Sequence, residues 1–92
     1  MRRNGRIDRN QPEIVATLER LGWKVKSLAP MGNGFPDLLC GKNGVNLLLE
    51  VKDGNAPPSK RQLTPAEKDF RDNWTGQYAV VETLDDVLRL CK

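Results

Sequence analysis

The fold is decided by residues 35–52, which read FPDLLCGKNGVNLLLEVK. Two apolar runs flank Asn43 and Gly44, and Asn-Gly between alternating hydrophobic segments is the strongest short-range signal for a β-hairpin. We therefore predict two strands, over residues 35–40 and 45–52, joined by a two-residue turn. This hairpin carries an unusual set of charges for an apolar segment, and those charges are the candidate site.

The register of the hairpin follows from the turn, because a two-residue turn places Lys42 opposite Val45. Continued along the strands, this register puts Asp37 directly opposite Glu50, with β-carbons ~4.5–5.5 Å apart. Side chains alternate between the two faces of a strand, so Glu50 and Lys52 share one face. A slip of one residue would separate these groups.

Two carboxylates on facing strand positions repel each other, and a cation between them reverses the sign of that interaction. Asp37, Glu50 and the backbone carbonyl of Val51 offer three oxygen donors, which suit Mg²⁺. Such an ion polarises a scissile phosphate, and the ammonium of Lys52 can hold the attacking water. Glu13 reaches this site only if its helix packs against the sheet.

Hydrophobic periodicity and capping signals predict the rest of the fold. They indicate helices over residues 12–21, 64–74 and 84–91, strands over residues 23–28 and 77–82, and a loop over residues 53–63. The apolar face of the last helix is predicted to consist of Leu84, Val87, Leu88 and Cys91. The resulting α-β-β-β-α-β-α order predicts an α/β protein with a mixed sheet flanked by helices. We divide the chain into a basic N-terminal arm, residues 1–9, and a single domain, residues 10–92.

The chain has 92 residues and a net charge of +3. A domain of this size has a thin core, and a partner subunit is one way to bury more surface. The basic residues that we assign to phosphate contacts lie in the arm and in a proline-rich loop: Arg2, Arg3, Arg6, Arg9, Lys60 and Arg61. The arm alone fits equally well as a solvated terminus that aids solubility.

The cysteine and histidine content excludes several kinds of site. The chain has two cysteines, Cys40 and Cys91, and no histidine, which excludes a zinc motif and imidazole-based catalysis. Both cysteines lie in apolar contexts and are expected to be reduced core residues. No stretch is apolar enough to span a bilayer and none resembles a secretory signal, so we expect a cytoplasmic protein in a bacterial or phage-infected cell.

The joint pattern resembles the PD-(D/E)xK nuclease superfamily, and within it the VRR-NUC domain, over residues 11–90. The resemblance is carried by Glu13, by Gly34-Phe35-Pro36-Asp37-Leu38, by Leu48-Leu49-Glu50-Val51-Lys52 and by Leu63-Thr64-Pro65. It implies a restriction-endonuclease-like fold and Mg²⁺- or Mn²⁺-dependent hydrolysis of phosphodiester bonds in DNA.

The family also implies a role for each site residue. Asp37, Glu50 and the Val51 carbonyl correspond to metal ligands, Lys52 to the residue that holds the water, and Glu13 to a further catalytic acid. Stand-alone members resemble phage or bacterial homodimers that cut branched DNA, including four-way (Holliday) junctions.

One position departs from the family, and other functions stay open. Glu67 stands where the family usually has glutamine, and we interpret it as the acid of a helix-capping box. The alternatives are a non-catalytic nucleic-acid-binding module on the same fold, a nuclease that prefers flaps or nicks single strands, and a small basic protein that binds a protein partner. No aromatic stacking surface is evident in the sequence, which disfavours a platform for single strands.

Overall fold

The computed structural model describes residues 9–92, so Arg2, Arg3 and Arg6 of the predicted arm lie outside the described residues. This part of the chain contains both helices and strands and forms an α/β protein. In order they are α1 (Gln11–Arg20), β1 (Lys24–Ser27), β2 (Leu38–Lys42), β3 (Val45–Val51), α2 (Pro58–Arg61), α3 (Pro65–Asn73), β4 (Tyr78–Val81) and α4 (Leu84–Cys91).

The four strands form one mixed sheet in the order β1-β2-β3-β4, in which the first three strands are antiparallel and β4 is parallel to β3. The β2–β3 pairing has the predicted register, with Lys42 opposite Val45 and Leu38 opposite Leu49. Asn43 and Gly44 both have positive φ, at 50° and 81°. A type I′ turn requires this conformation at both central residues, so the predicted hairpin is confirmed.

The sheet has one apolar face and one face that carries charges. Leu49 and Val51 point into a core that α1 and α4 supply with Ile14, Leu18 and Val87, all almost fully buried. The alternate residues of β3 point to the opposite face, as the period of a strand requires. There α3 covers part of the sheet and brings Glu67 against Lys52.

Helix α1 is anchored to the sheet by the residue that precedes it. Asn10 makes no side-chain cap. Instead its amide group donates hydrogen bonds to the carbonyls of Lys52 and Glu82, both at 3.0 Å.

The two cysteines are buried and free, as predicted. No helix within residues 9–92 is long and apolar enough to cross a membrane.

Three predictions about the elements are wrong in detail. β2 begins at Leu38 rather than residue 35, because a 3₁₀ turn, Ala29–Met31, is followed by a second turn in which the Phe35 amide donates to the Gly32 carbonyl at 3.0 Å. The predicted loop over residues 53–63 contains the short helix α2, which begins at Pro58. The predicted apolar face of α4 is only half used, since Val87 and Cys91 are buried whereas Leu84 and Leu88 are 38% and 40% exposed.

Candidate metal centre

The site lies where the β2–β3 ladder ends, and the chain departs there from the predicted register. The predicted register pairs Asp37 with Glu50. Instead, the amide of Asp37 donates to the carbonyl of Leu49 at 3.0 Å, so the pairing is shifted by one residue. The next hydrogen bond from β3 goes to a side chain instead of the backbone: the amide of Val51 donates to Oδ2 of Asp37 at 2.7 Å. The local offset therefore turns the Asp37 carboxylate toward β3.

This arrangement also places the carbonyl of Val51 beside Asp37. The amides of Leu48 and Lys52 donate to the carbonyls of Gln77 and Val81, on the side of β4. Backbone groups of successive strand residues point to opposite sides, so those of Val51 point toward β2. The N–H and C=O of one strand residue point to the same side, so the Val51 carbonyl and its amide both face Asp37.

Glu50 is a buried acid, and one of its carboxyl oxygens has no hydrogen-bond donor in the described part of the chain. The residue is 3% exposed, and its Oε1 has no hydrogen-bond donor among residues 9–92. The carboxyl groups of Asp37 and Glu67 lie close enough to Glu50 to share a hydrogen bond with it. Two carboxyl groups can share a hydrogen bond only when one of them carries a proton.

Burial and the negative charges of Asp37 and Glu67 together raise the pKa of Glu50 to about 10, because the nearby Lys52 offsets only part of their effect. Without a cation, the folded protein therefore keeps Glu50 protonated at neutral pH. A divalent cation reverses this balance, because its charge favours the ionised carboxylate.

Lys52 is held between two acids on the same face of the sheet. The residue is 8% exposed. Its Nζ lies 2.8 Å from Oε1 of Glu67 and 3.6 Å from Oε2 of Glu50. A lysine this buried requires a partner of opposite charge, and these contacts fix the direction of its ammonium group.

Glu67 has two functions in the structure, so its interpretation as a capping acid alone is incomplete. Its Oε1 accepts the Thr64 amide at 2.9 Å, and its own amide donates to the Thr64 hydroxyl at 3.2 Å, which completes the predicted capping box. The same Oε1 binds Lys52. Burial raises the pKa of Glu67, but the hydrogen bonds from Lys52 and Thr64 outweigh it and hold that pKa below its usual value.

The double role of Glu67 predicts different effects for two substitutions. Glu67→Ala should lower the free energy of unfolding by about 1–2 kcal/mol, because it removes the capping box and leaves Lys52 with less compensation. Glu67→Gln should cost less than half as much, because an amide oxygen still accepts from Thr64 and from Lys52. Urea unfolding measures both effects, and equal losses for the two variants would contradict this account.

The raised pKa of Glu50 predicts how stability depends on pH without metal. The folded chain binds a proton that the unfolded chain releases, so this contribution is full below pH 4.5 and declines as pH rises toward about 10. Glu50→Gln carries no charge and should be more stable than the wild type at pH 8 by at least ~1.4 kcal/mol, the equivalent of one pKa unit. Thermal unfolding in a chelator should show this advantage disappearing at pH 4, and an advantage independent of pH would contradict the assignment.

The donor atoms fit a hard divalent cation. Within residues 9–92, no three side chains of His, Cys, Asp or Glu are grouped as ligands for one ion. Mg²⁺, however, typically takes one or two protein carboxylates and completes its shell with water and substrate oxygens. The carboxylates of Asp37 and Glu50 with the Val51 carbonyl form such a set, and the unsatisfied Oε1 of Glu50 is the atom that most needs a cation.

Three other predicted residues, Glu13, Lys60 and Arg61, lie elsewhere. Glu13 is exposed on α1 and lines a cleft of about 310 Å³ together with Asp53 and Glu82. Lys60 is exposed, and Arg61 forms an ion pair with Glu82 at 3.2 Å. The structure thus brings together Asp37, Glu50, Val51 and Lys52, whereas Glu13 belongs to a different cleft.

Comparisons of the chain with protein-family models, with curated proteins and with solved structures gave no match. The family resemblance therefore rests on the motif residues alone and stays a prediction. The geometry of the site is independent of it, because it follows from contacts within the chain.

Sequence reasoning missed two features of the site. The first is the contact of Glu67 with Lys52, which could have been suspected because an acid stands where the family has an amide. The second is an aromatic cluster beside the carboxylates, which was not evident in the sequence. It is formed by Phe35, Phe70, Trp74 and Tyr78. The four-residue spacing of Phe70 and Trp74 was visible, but not their contacts with Phe35 and with the next strand.

Proposed function

We propose that this protein is a metal-dependent nuclease that hydrolyses phosphodiester bonds in DNA. The observation that carries the proposal is the buried carboxyl group of Glu50 beside Asp37 and Lys52, whose Oε1 has no hydrogen-bond donor among the described residues. An acid with a strongly shifted pKa in contact with named charge partners is typical of a functional site. A purely structural role would favour an apolar residue at this position, since burying a carboxyl costs free energy.

In this proposal Asp37, Glu50 and the Val51 carbonyl hold Mg²⁺ or Mn²⁺. The bound cation supplies Lewis-acid polarisation of a phosphate oxygen. Asp37 is fixed for this role by the amide of Val51, which directs one of its carboxylate oxygens. Glu50 changes its protonation state on metal binding, because a ligating carboxylate must be ionised.

Lys52 acts on the attacking water and on the charge that develops on the phosphate. Its ammonium group is oriented by Glu67, so it need not be reorganised when a substrate arrives. Glu67 thus acts as a positioning residue through Lys52. A catalytic role for Glu13 stays a prediction from the resemblance.

We further propose that the substrate is branched DNA, such as four-way junctions, and that the protein acts as a homodimer. Two copies related by two-fold symmetry would place two sites on a two-fold junction. Arg9 and Lys60 are both exposed and suit phosphate contacts, as do the arginines of the arm. Sedimentation at micromolar concentration should give the mass of a dimer.

The substrate preference is tested with labelled plain duplex, flap, splayed-arm and four-way-junction DNA in Mg²⁺, Mn²⁺ or chelator. We expect junction cleavage that requires the metal and exceeds cleavage of plain duplex by at least tenfold. Equal cutting of duplex and junction would overturn the preference for branches but not the nuclease activity. Faster cutting of flaps, or single-strand nicks only, would assign the other predicted preferences.

The contact between Lys52 and Glu67 favours a second candidate, a binding module without catalysis. At 2.8 Å the pair satisfies the lysine without any metal or substrate, as a structural ion pair would. The same four DNA substrates distinguish a nuclease from a binding module. Retention of junction DNA in a gel shift, with no cleavage in Mg²⁺ or Mn²⁺, would assign the binding module.

A further inference from the structure

Four aromatic side chains from three separate segments form one continuous cluster on the charged side of the sheet. Phe70 lies at its centre, with ring centroids 5.3 Å from Phe35, 5.1 Å from Trp74 and 6.0 Å from Tyr78. These separations are those of favourable aromatic pairs. Trp74 lies nearly parallel to Phe70, at 19°, so the indole is the outer layer of a stack.

Two glycines position the ends of this cluster. A Cβ at Gly34 would lie 2.6 Å from the backbone of Ala66, so only glycine lets the loop before Phe35 approach α3 this closely. A Cβ at Gly76 would lie 2.8 Å from Nε1 of Trp74. The indole therefore rests with its edge against the Gly76 backbone and one face against Phe70. Its orientation is fixed by the fold.

The cluster adjoins the candidate metal centre. Tyr78 pairs with Leu48 and Val80 with Glu50 across parallel strands, so Tyr78 is two residues along the sheet from the buried acid. Burial and the negative charges of Glu50 and Glu67 raise the pKa of the Tyr78 hydroxyl. Helix α3 carries Glu67 at its start and Phe70 one turn later. One helix therefore supports both the Lys52 contact and the stack.

Much of the cluster remains open to solvent. Trp74 is 46% exposed and Phe35 is 40% exposed, although both rings pack against Phe70. The indole face that does not contact Phe70 is the natural place for another flat ring. Arg71 also lies at this edge; its side chain is 45% exposed and its Nε pairs with Oδ1 of Asp72 at 2.9 Å.

We propose that the stack of Phe35, Phe70 and Trp74 binds an unpaired nucleobase of the strand that is cut. This rests on the proposed nuclease function and deepens it. Aromatic faces bind any base by stacking. The substrate class is then DNA with an unpaired or easily opened nucleotide beside the scissile bond, as at a branch point, because a base inside a duplex is not available for stacking.

A nucleobase fits this surface better than a second copy of the chain. A fully buried aromatic side chain removes about 150–250 Å² from water, so two half-exposed rings offer roughly 200 Å². A stable protein interface requires about 800 Å² on each partner. The available area matches one planar ring and falls well short of a subunit contact.

The test measures binding of single-stranded oligothymidine and of plain duplex to the full chain in chelator, so that no cleavage occurs. Trp74→Leu should weaken binding of the single strand about tenfold and binding of the duplex less than twofold. Trp74→Phe should retain most of the affinity. Leu90→Ala is the matched control, because Leu90 is 53% exposed on α4, which packs on the opposite face of the sheet.

A second pair of variants moves the indole without removing it. Gly76→Ala should displace Trp74 and weaken binding of the single strand, whereas Gly41→Ala should not, because its Cβ would meet only ordinary contacts at 3.6 Å. Bound oligothymidine should quench the emission of Trp74, while the buried Trp23, 8% exposed, contributes a constant signal. Circular dichroism establishes that each variant is folded.

Several outcomes would overturn the stacking site. These are unchanged affinity in Trp74→Leu, equal loss for duplex and single strand, or a loss that follows dissociation of a dimer. The nuclease proposal fails separately, through absence of metal-dependent cleavage, and binding in chelator does not depend on that result. Cleavage that persists in Trp74→Leu with unchanged preference for the junction would refute the stack alone.

Discussion

Glu50→Gln is expected to abolish metal-dependent cleavage of DNA while leaving the protein folded. The substitution keeps the shape of the side chain and removes the negative charge that a divalent cation requires. Loss of groups that merely orient metal ligands costs 10–100-fold in activity, so loss of a ligand should cost more than about 100-fold. Initial rates on a labelled four-way junction measure this effect directly.

The control for Glu50→Gln is Glu19→Gln, the same chemical change at an exposed position of α1. Both variants are purified in parallel with the wild type, so a contaminating nuclease would appear equally in all three. Without metal, Glu50→Gln should also be the more stable protein at pH 8. Loss of activity through unfolding would say nothing about metal binding by Glu50. Loss of activity together with retained stability excludes that explanation. Full activity in folded Glu50→Gln would contradict the metal assignment.

Lys52→Met is expected to reduce the cleavage rate by about 10²–10³-fold, the usual cost of removing one group that stabilises developing charge. The substitution keeps the length of the apolar stem and removes the ammonium group. It should also lower the melting temperature in chelator, since the ionised Glu67 loses the cation with which it pairs. Mg²⁺ should restore part of this loss, because the bound ion supplies positive charge to the acids of the site.

The two substitutions separate ligand from catalytic residue. Lys52→Met should lose activity but keep affinity for Mn²⁺, whereas Glu50→Gln should lose both. Lys92→Met, at an exposed lysine remote from the sheet, provides the control for the loss of a positive charge. A Lys52→Met variant that cuts at the wild-type rate would show that the lysine is structural and would favour the binding module.

The hairpin could be predicted from the sequence because its determinants are local. Asn43 and Gly44 adopt positive φ at low cost, and this sets the turn, the register and the face of every residue in β3. The sequence therefore sufficed to place Glu50 and Lys52 on one face. It did not predict that pairing shifts at Asp37, because that shift accompanies a bond from the Val51 amide to the Asp37 side chain, which no local pattern indicates.

The parts of the site that sequence reasoning missed depend on contacts between distant segments. Glu67 satisfies a local capping box, and nothing local reveals that the same oxygen also binds a lysine fifteen positions earlier. The aromatic cluster combines Phe35 with residues of α3 and β4, and only the packing of α3 on the sheet brings them together. Glu13 was correctly placed in the first helix, but the position of that helix directs it to another cleft.

The central claim is that the carboxyl groups of Asp37 and Glu50 hold a divalent cation. Cleavage assays test it only through a later step, whereas metal binding tests it directly. Free Mn²⁺ gives an electron paramagnetic resonance spectrum that disappears when the ion is bound by protein. Titration of Mn²⁺ into metal-free protein therefore reports the bound fraction. The same titration is made with Asp37→Asn, Glu50→Gln and the control Glu19→Gln at pH 8.

The wild type and Glu19→Gln should bind Mn²⁺ with the same affinity, and Mg²⁺ should compete for the site. Asp37→Asn and Glu50→Gln should each weaken binding at least tenfold, the lower bound for disturbed metal sites. Binding of Mn²⁺ that is equal in all four proteins, or absent from a wild type that still cleaves DNA, would contradict the assignment of Asp37 and Glu50 as the metal centre.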